Sequence, residues 1–193
     1  MPRLTADVDL SRWVPVTESF GIRGRRHRKA ALKVLLGQAN AALGRDAQTG
    51  RFAAWGMSQV MPLIMRKAAG RVLVWVYKSD PELVSVMATV QEATREIRVM
   101  RASQPMEYDD TEDFRHPTLG TGEKLVLSGP EQPVPRITYT WDLGTHFVVV
   151  TAVSGDANRL GTVIDQVDEV ARRIRLVDDV ALGESANVLR LDP

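Results

Sequence analysis

The chain has 193 residues, of which 44% are hydrophobic and 25% are charged, so it has the composition of an ordinary globular domain rather than a disordered segment. It contains no cysteine, which excludes thiol nucleophiles, disulfides and thiolate metal sites. The net charge is only +1, but basic residues dominate positions 1–78 and acidic residues dominate 79–193, a polarity that favours docking of the two parts or of a charged partner.

The N-terminal sequence lacks the apolar core of a signal peptide. The longest uncharged run, Phe52–Met65, is too short to span a bilayer and contains Gly56 and Pro62. With the missing cysteines, these features predict a soluble, cytoplasmic protein that does not span a membrane.

The first 70 residues predict a short strand followed by a helical part. Arg12–Val16 has strand-forming side chains, and Pro15 limits such a strand to the edge of a sheet. After a basic linker at 21–29, apolar side chains recur at helical spacing in two stretches that end near Leu43 and Ala69. We therefore expect an N-terminal helical region within 1–70.

Residues 71–178 predict an antiparallel sheet, because short runs of β-branched and aromatic residues follow one another without intervening helices. A Gly144 turn joins the last two runs and indicates a hairpin. The polar segment 103–122 is expected to form a loop. The predicted strands are Val72–Tyr77, Val84–Gln91, Glu96–Arg101, Lys124–Leu127, Arg136–Asp142 and His146–Val153.

A long amphipathic C-terminal helix is predicted to cover this sheet, with Asp156 as its N-cap. Its opposite face would carry the pairs Asp168/Arg172 and Glu169/Arg173, each with the acid four residues before the base. The fold class expected is α+β: one domain over 1–193, with an antiparallel β-sheet packed by a long C-terminal helix, an N-terminal helical region and a tail at 179–193. The apolar stripe of the helix comprises Leu160, Val163, Ile164, Val167, Val170, Ala171 and Ile174.

Acidic residues cluster between positions 107 and 113, with His116 just beyond. Such carboxylates suit Mg²⁺ or Ca²⁺, but the fixed spacing and bend-forming glycine of a calcium loop are missing, so the pattern favours a solvated loop. The members are Glu107, Asp109, Asp110, Glu112 and Asp113.

A basic cluster at 23–29 is the candidate partner-docking site: Arg23, Arg25, Arg26, Arg28 and Lys29. Nucleic acid is the less favoured partner, because no aromatic residues are interleaved and no recognition motif is present. Met57, Met61 and Met65 recur at helical spacing, which is typical of core filling; the alternatives are an adaptable binding surface or a homo-oligomer contact. An open strand edge is a second route to a homo-oligomer.

The motifs of phosphate-binding loops, dinucleotide-binding folds and nucleophile elbows are absent from the sequence. We therefore predict no cofactor and no enzymatic activity, and expect a protein-interaction or accessory module. The alternative is a small-molecule binding protein, or an enzyme of another type, with a pocket between sheet and helices.

From Arg71 to Asp178, several antiparallel strands, a final hairpin and a sheet-packing helix follow in order, ending in FVVVTAVSGDANRLGTVIDQVDEVARRIRL. This order resembles the Mog1/PsbP-like fold over a little more than half of the chain. The resemblance implies a non-catalytic binding module, and it assigns no functional residue because no motif specific to that group is present.

Overall fold

The computed structural model describes residues 2–16, 70–102, 111–127, 135–154 and 156–177. Within these ranges the strands are β1 (Arg3–Ala6), β2 (Trp13–Pro15), β3 (Val72–Tyr77), β4 (Val84–Glu92), β5 (Thr111–His116), β6 (Gly120–Leu127), β7 (Arg136–Asp142), β8 (His146–Ser154) and β9 (Ile174–Val177). The helices are α1 (Arg95–Ala102), α2 (Ala157–Leu160) and α3 (Ile164–Arg173), with a 3₁₀ turn at Gly161–Val163 between the last two.

Seven strands form one antiparallel sheet in the order β2-β3-β4-β8-β7-β6-β5. β5 to β8 run as a meander. The last strand of the meander, β8, pairs with β4 over nine residues, from Val84 opposite Ser154 to Glu92 opposite His146. A second, two-stranded antiparallel sheet pairs β1 with β9. The antiparallel sheet predicted from the sequence is confirmed.

Alternation along the strands separates the two faces of the large sheet. In β4, Val84, Val86, Ala88 and Val90 are buried on the face that we call the inner face. At the β7–β8 turn, Gly144 adopts a φ of 81°, and its N–H donates to an Asp142 carboxylate oxygen at 2.8 Å. The predicted hairpin is therefore confirmed, with glycine where the backbone requires a left-handed conformation.

The core lies between the inner face and the segment from α2 to β9. Trp75 and Trp141 are 4% and 0% exposed and belong to this core. The apolar stripe packs against them: all of its members are buried except Ile164, which is half-buried. The inference that this stripe covers one face of the sheet is confirmed.

The predicted α+β class and the long C-terminal helix are wrong. More than half of the described residues lie in strands, so this part of the chain is mostly β. Asp156 does cap the helical segment, accepting from the N–H of Asn158 at 2.9 Å, but the 3₁₀ turn interrupts it. It ends at Arg173 because β-branched Ile174 begins β9 and finds a partner in β1.

The predicted N-terminal helical part is also wrong over residues 2–16, which the structure describes. Residues 2–16 contain strands β1 and β2, not helices. β2 confirms the short strand predicted around Pro15, and it lies at an edge of the large sheet. The helical stretches that were expected to end near Leu43 and Ala69 lie outside the described residues.

The predicted strand Glu96–Arg101 is instead helix α1. The Thr94 hydroxyl accepts from the N–H of Ile97 at 3.4 Å, and the Thr94 carbonyl accepts from the N–H of Arg98 at 3.0 Å. Thr94 is thus the N-cap with which the helix begins. This capping signal outweighs the alternation of apolar and polar residues that predicted a strand, because the alternation extends over only one short run. The expected loop at 103–122 is wrong over Thr111–His116, which is β5, and over residues 120–122, where β6 begins.

None of the described helices is both long and apolar enough to cross a bilayer.

Candidate functional site

Most of the side chains expected to act as a site lie outside the described residues. This applies to the basic cluster Arg23, Arg25, Arg26, Arg28 and Lys29, to the three methionines and to the acidic residues 107–110. Glu112 and Asp113 are exposed in β5, and His116 ends that strand in a buried position. No group of three or more His, Asp or Glu side chains in the described ranges is placed to hold a metal ion.

The candidate site is an ionisable cluster between α3 and the inner face, formed by Lys124, Tyr139, Asp168 and Arg172. The Lys124 Nζ atom lies 2.9 Å from Asp168 Oδ1 and 3.1 Å from Oδ2, and the Tyr139 hydroxyl donates to Oδ1 at 2.5 Å. An Arg172 nitrogen lies 3.8 Å from Oδ2. The Lys124 and Asp168 side chains are only 10% and 14% exposed, so solvent competes weakly for these contacts.

Strand pairing brings these residues together. Lys124 of β6 lies directly opposite Tyr139 of β7, and both side chains point to the inner face. Asp168 follows Val167, a member of the apolar stripe, so the packing of α3 directs its carboxylate at the lysine and the tyrosine. The spacing of the helical segment had predicted Asp168 on the face of the helix opposite the apolar stripe. The alternation of side chains along β6 and β7 could have predicted this contact. Lys124 and Tyr139 fall on the same face as the apolar residues Val126, Ile137 and Trp141.

The environment keeps the Tyr139 hydroxyl protonated. Burial, followed by the hydrogen bond to Asp168, raises the pKa of Tyr139 far above its ordinary value. A protonated phenol is a hydrogen-bond donor, and here its acceptor is already in place. The same carboxylate also accepts from Lys124. The cluster is thus arranged to hold α3 on the sheet, not to supply a free base, nucleophile or metal ligand.

Aromatic rings extend from this cluster along the inner face. Phe114 packs edge-on against Tyr139 and Trp141, with ring centroids 4.7 and 5.9 Å apart, and the Arg172 guanidinium lies 4.7 Å from the centre of the Phe114 ring. Gly122 makes room for the Trp141 indole, because a side chain at this position would overlap the indole and the backbone.

His116 closes the row of rings in an edge-on contact with Trp141 at 5.3 Å. Its Nδ1 atom accepts from the backbone N–H groups of Thr118 and Leu119 at 3.1 and 3.0 Å, which requires an unprotonated Nδ1. Burial lowers the pKa of His116, against an opposing effect of the Ile174 and Ala171 carbonyls. The ring serves as a neutral acceptor that fixes the turn between β5 and β6.

A second polar cluster lies on the other face of the sheet, under α1. The Arg98 and Arg101 guanidinium groups lie 5.1 and 4.8 Å from the centre of the Phe147 ring. Arg98 binds the Asp142 carboxylate through both terminal nitrogens, at 2.6 and 3.3 Å. The bond to Arg98, followed by the N–H of Gly144, lowers the pKa of Asp142. These arginines attach α1 to the β7–β8 hairpin.

Both clusters connect helices to the sheet, and their polar atoms are used in those contacts. No protein-family model, curated protein or solved structure matches the chain.

Proposed function

We propose that this chain is a non-catalytic interaction or accessory module. One observation supports this most directly: Asp168, the partly buried carboxylate of the candidate site, is engaged by Lys124 and Tyr139. A catalytic acid or base must exchange protons with a substrate, and these contacts leave no such group unengaged in the cluster. The contacts of Asp168 instead connect α3 to strands β6 and β7.

The proposed docking region is the basic cluster from Arg23 to Lys29. Its five cationic side chains within seven residues suit a partner with an acidic surface, since such complementarity speeds encounter and rejects like-charged competitors. The resemblance to the Mog1/PsbP-like fold, which remains a prediction, points to the same class of function.

The test is affinity purification of the full chain from its native lysate at low salt. The wild type should recover a stoichiometric protein partner. Replacing Arg23, Arg25, Arg26, Arg28 and Lys29 by alanine should abolish the recovery, because it removes every cationic side chain of the proposed docking region. Replacing the exposed Arg136 and Arg175 by alanine removes positive charge elsewhere and should leave the recovery unchanged.

Failure to recover any stoichiometric partner at several protein concentrations would contradict the proposal. So would equal losses from the five-site variant and the two-site control, since that result would reflect bulk charge and not a defined docking region.

A further inference from the structure

We propose that two copies of this chain associate through strand β5, which pairs antiparallel with the β5 of a second copy so that the two Phe114 residues lie opposite each other. The two large sheets would then continue into one another across a twofold axis. This self-association does not involve the proposed docking region from Arg23 to Lys29, so the two proposals can be tested separately.

The two edge strands of the large sheet, β2 and β5, differ in how well they can pair with an added strand. β2 has three residues and includes Pro15, which has no N–H to donate, so this edge is poorly suited to pairing. β5 has six residues without proline, and among the described strands only β6 pairs with it. Because no second described strand lies on its other side, β5 can present its outer N–H and C=O groups to an added strand.

The side chains of β5 are self-complementary in one register. With Phe114 opposite its copy, Asp113 of each chain faces Arg115 of the other on the outer face, and Glu112 faces His116 on the inner face. Residues directly opposite each other in an antiparallel pair have their Cβ atoms about 4.5–5.5 Å apart, close enough for opposite charges to stabilise the pair.

Neighbouring registers are less favourable. A shift by two places sets either Asp113 or Arg115 opposite its own copy, which brings like charges together. A shift by one place sets Phe114 opposite Asp113 or Arg115. Opposite side chains point to the same face of a sheet, but Phe114 is only 4% exposed and packs in the core, whereas Asp113 and Arg115 are exposed on the outer face. The charges therefore favour the register centred on Phe114 over its neighbours.

The charged groups needed for this pairing are accessible. Asp113 and Arg115 are both exposed, and neither forms a salt bridge with another described residue, whereas the exposed Asp142 is held by Arg98 at 2.6 Å. Because at most six residues of each copy would pair, the buried area should fall below the roughly 1,200–2,000 Å² of a stable interface. We therefore expect reversible, weak association.

Sedimentation of the full chain from about 10 to 500 µM tests the pairing. The wild type should shift from monomer towards dimer as concentration rises. Asp113→Arg and Arg115→Asp should each weaken the association about tenfold, because each places like charges opposite each other twice. The double exchange, Asp113→Arg with Arg115→Asp, restores opposite charges and should return the dissociation constant to within about threefold of wild type.

The matched control is Asp165→Arg with Arg175→Asp, which reverses two exposed charges outside β5 and should leave association unchanged. A monomeric wild type over the whole concentration range would overturn the proposal. Equal weakening by the single and double exchanges would overturn the register.

Cross-linking reports the register independently. Because the chain has no cysteine, Asp113→Cys and Arg115→Cys can be introduced singly. Under mild oxidation, a mixture of the two variants should form the mixed disulfide faster than either variant alone forms its own. Directly opposite positions fall within disulfide reach, while diagonal ones, about 7–8 Å apart, do not. Faster linkage within either single variant would contradict the Phe114-centred pairing.

Discussion

His116 is a buried side chain whose charge state matters for the local structure. Its Nδ1 atom accepts from two backbone N–H groups, those of Thr118 and Leu119. A proton on Nδ1 would point at these donors, so protonation must break both bonds or move the ring. The turn between β5 and β6 therefore depends on a neutral imidazole.

Acid should destabilise the protein through His116. Its pKa in the folded state is lowered from 6.5, mainly by burial, so the unfolded state binds the proton more tightly. The stabilisation is complete above pH 6.5 and is lost as pH falls through the lowered pKa. His116→Asn keeps an acceptor near Nδ1 but cannot titrate. Urea unfolding from about pH 7.5 to 5 should show a steeper loss for wild type; parallel profiles would refute the prediction.

Gly122 is required by a close contact and not by an unusual φ angle. A Cβ atom there would overlap the Thr140 carbonyl oxygen and the Trp141 ring. We expect Gly122→Ala to lower the free energy of unfolding by about 1–3 kcal/mol, the range for overpacking. Gly161→Ala is the matched control, because a Cβ at Gly161 meets nothing within 4 Å. Equal effects of the two changes in urea unfolding would argue against the contact.

At the scale of elements, β9 follows α3 directly and is paired by β1. The N-terminal strand thus fixes the end of the helix that covers the core. Leu4 of β1 is 3% exposed and belongs to the same core as Val170 and Ile174. Although it begins at residue 3, β1 is an integral part of the fold.

Leu4→Ala should therefore be strongly destabilising, by about 2–5 kcal/mol, because it leaves a cavity in a packed core. Leu10→Ala makes the same chemical change at a side chain that is 62% exposed, and should alter the free energy of unfolding by less than about 0.5 kcal/mol. Denaturant titration of both variants measures the difference. Similar values would show that β1 does not contribute to the core.

At the scale of the whole molecule, the ionisable cluster joins the helical layer to the sheet. Asp168→Asn leaves the mostly buried Lys124 ammonium without its counter-charge and should cost about 3–5 kcal/mol. Glu169→Gln disrupts a half-exposed pair with Arg173 at 3.5 Å and should cost at most about 1 kcal/mol. Thermal and urea unfolding compare the two, and a small effect of Asp168→Asn would mean that the helix is held by apolar packing alone.

Local sequence patterns predicted the elements that are formed by residues close to each other in sequence. The β7–β8 hairpin follows from alternation around Gly144, and the N-cap at Asp156 from a polar residue before an apolar stripe. Prediction failed at Glu96–Arg101, where a short alternation competed with the Thr94 cap, and at Thr111–His116, where pairing with β6 makes a strand of a polar segment. Polar edge strands carry little hydrophobic signal of their own.

By itself, the sequence determined the antiparallel sheet, the β7–β8 hairpin, and the face of α3 that meets the core. These properties depend on periodicity, which a strand or helix carries within its own residues. Only the tertiary structure decided that the helical segment ends where β9 pairs with β1, and that Asp168 turns inward to Lys124 and Tyr139. Both depend on residues distant in sequence, whose contacts exist only once the chain has folded.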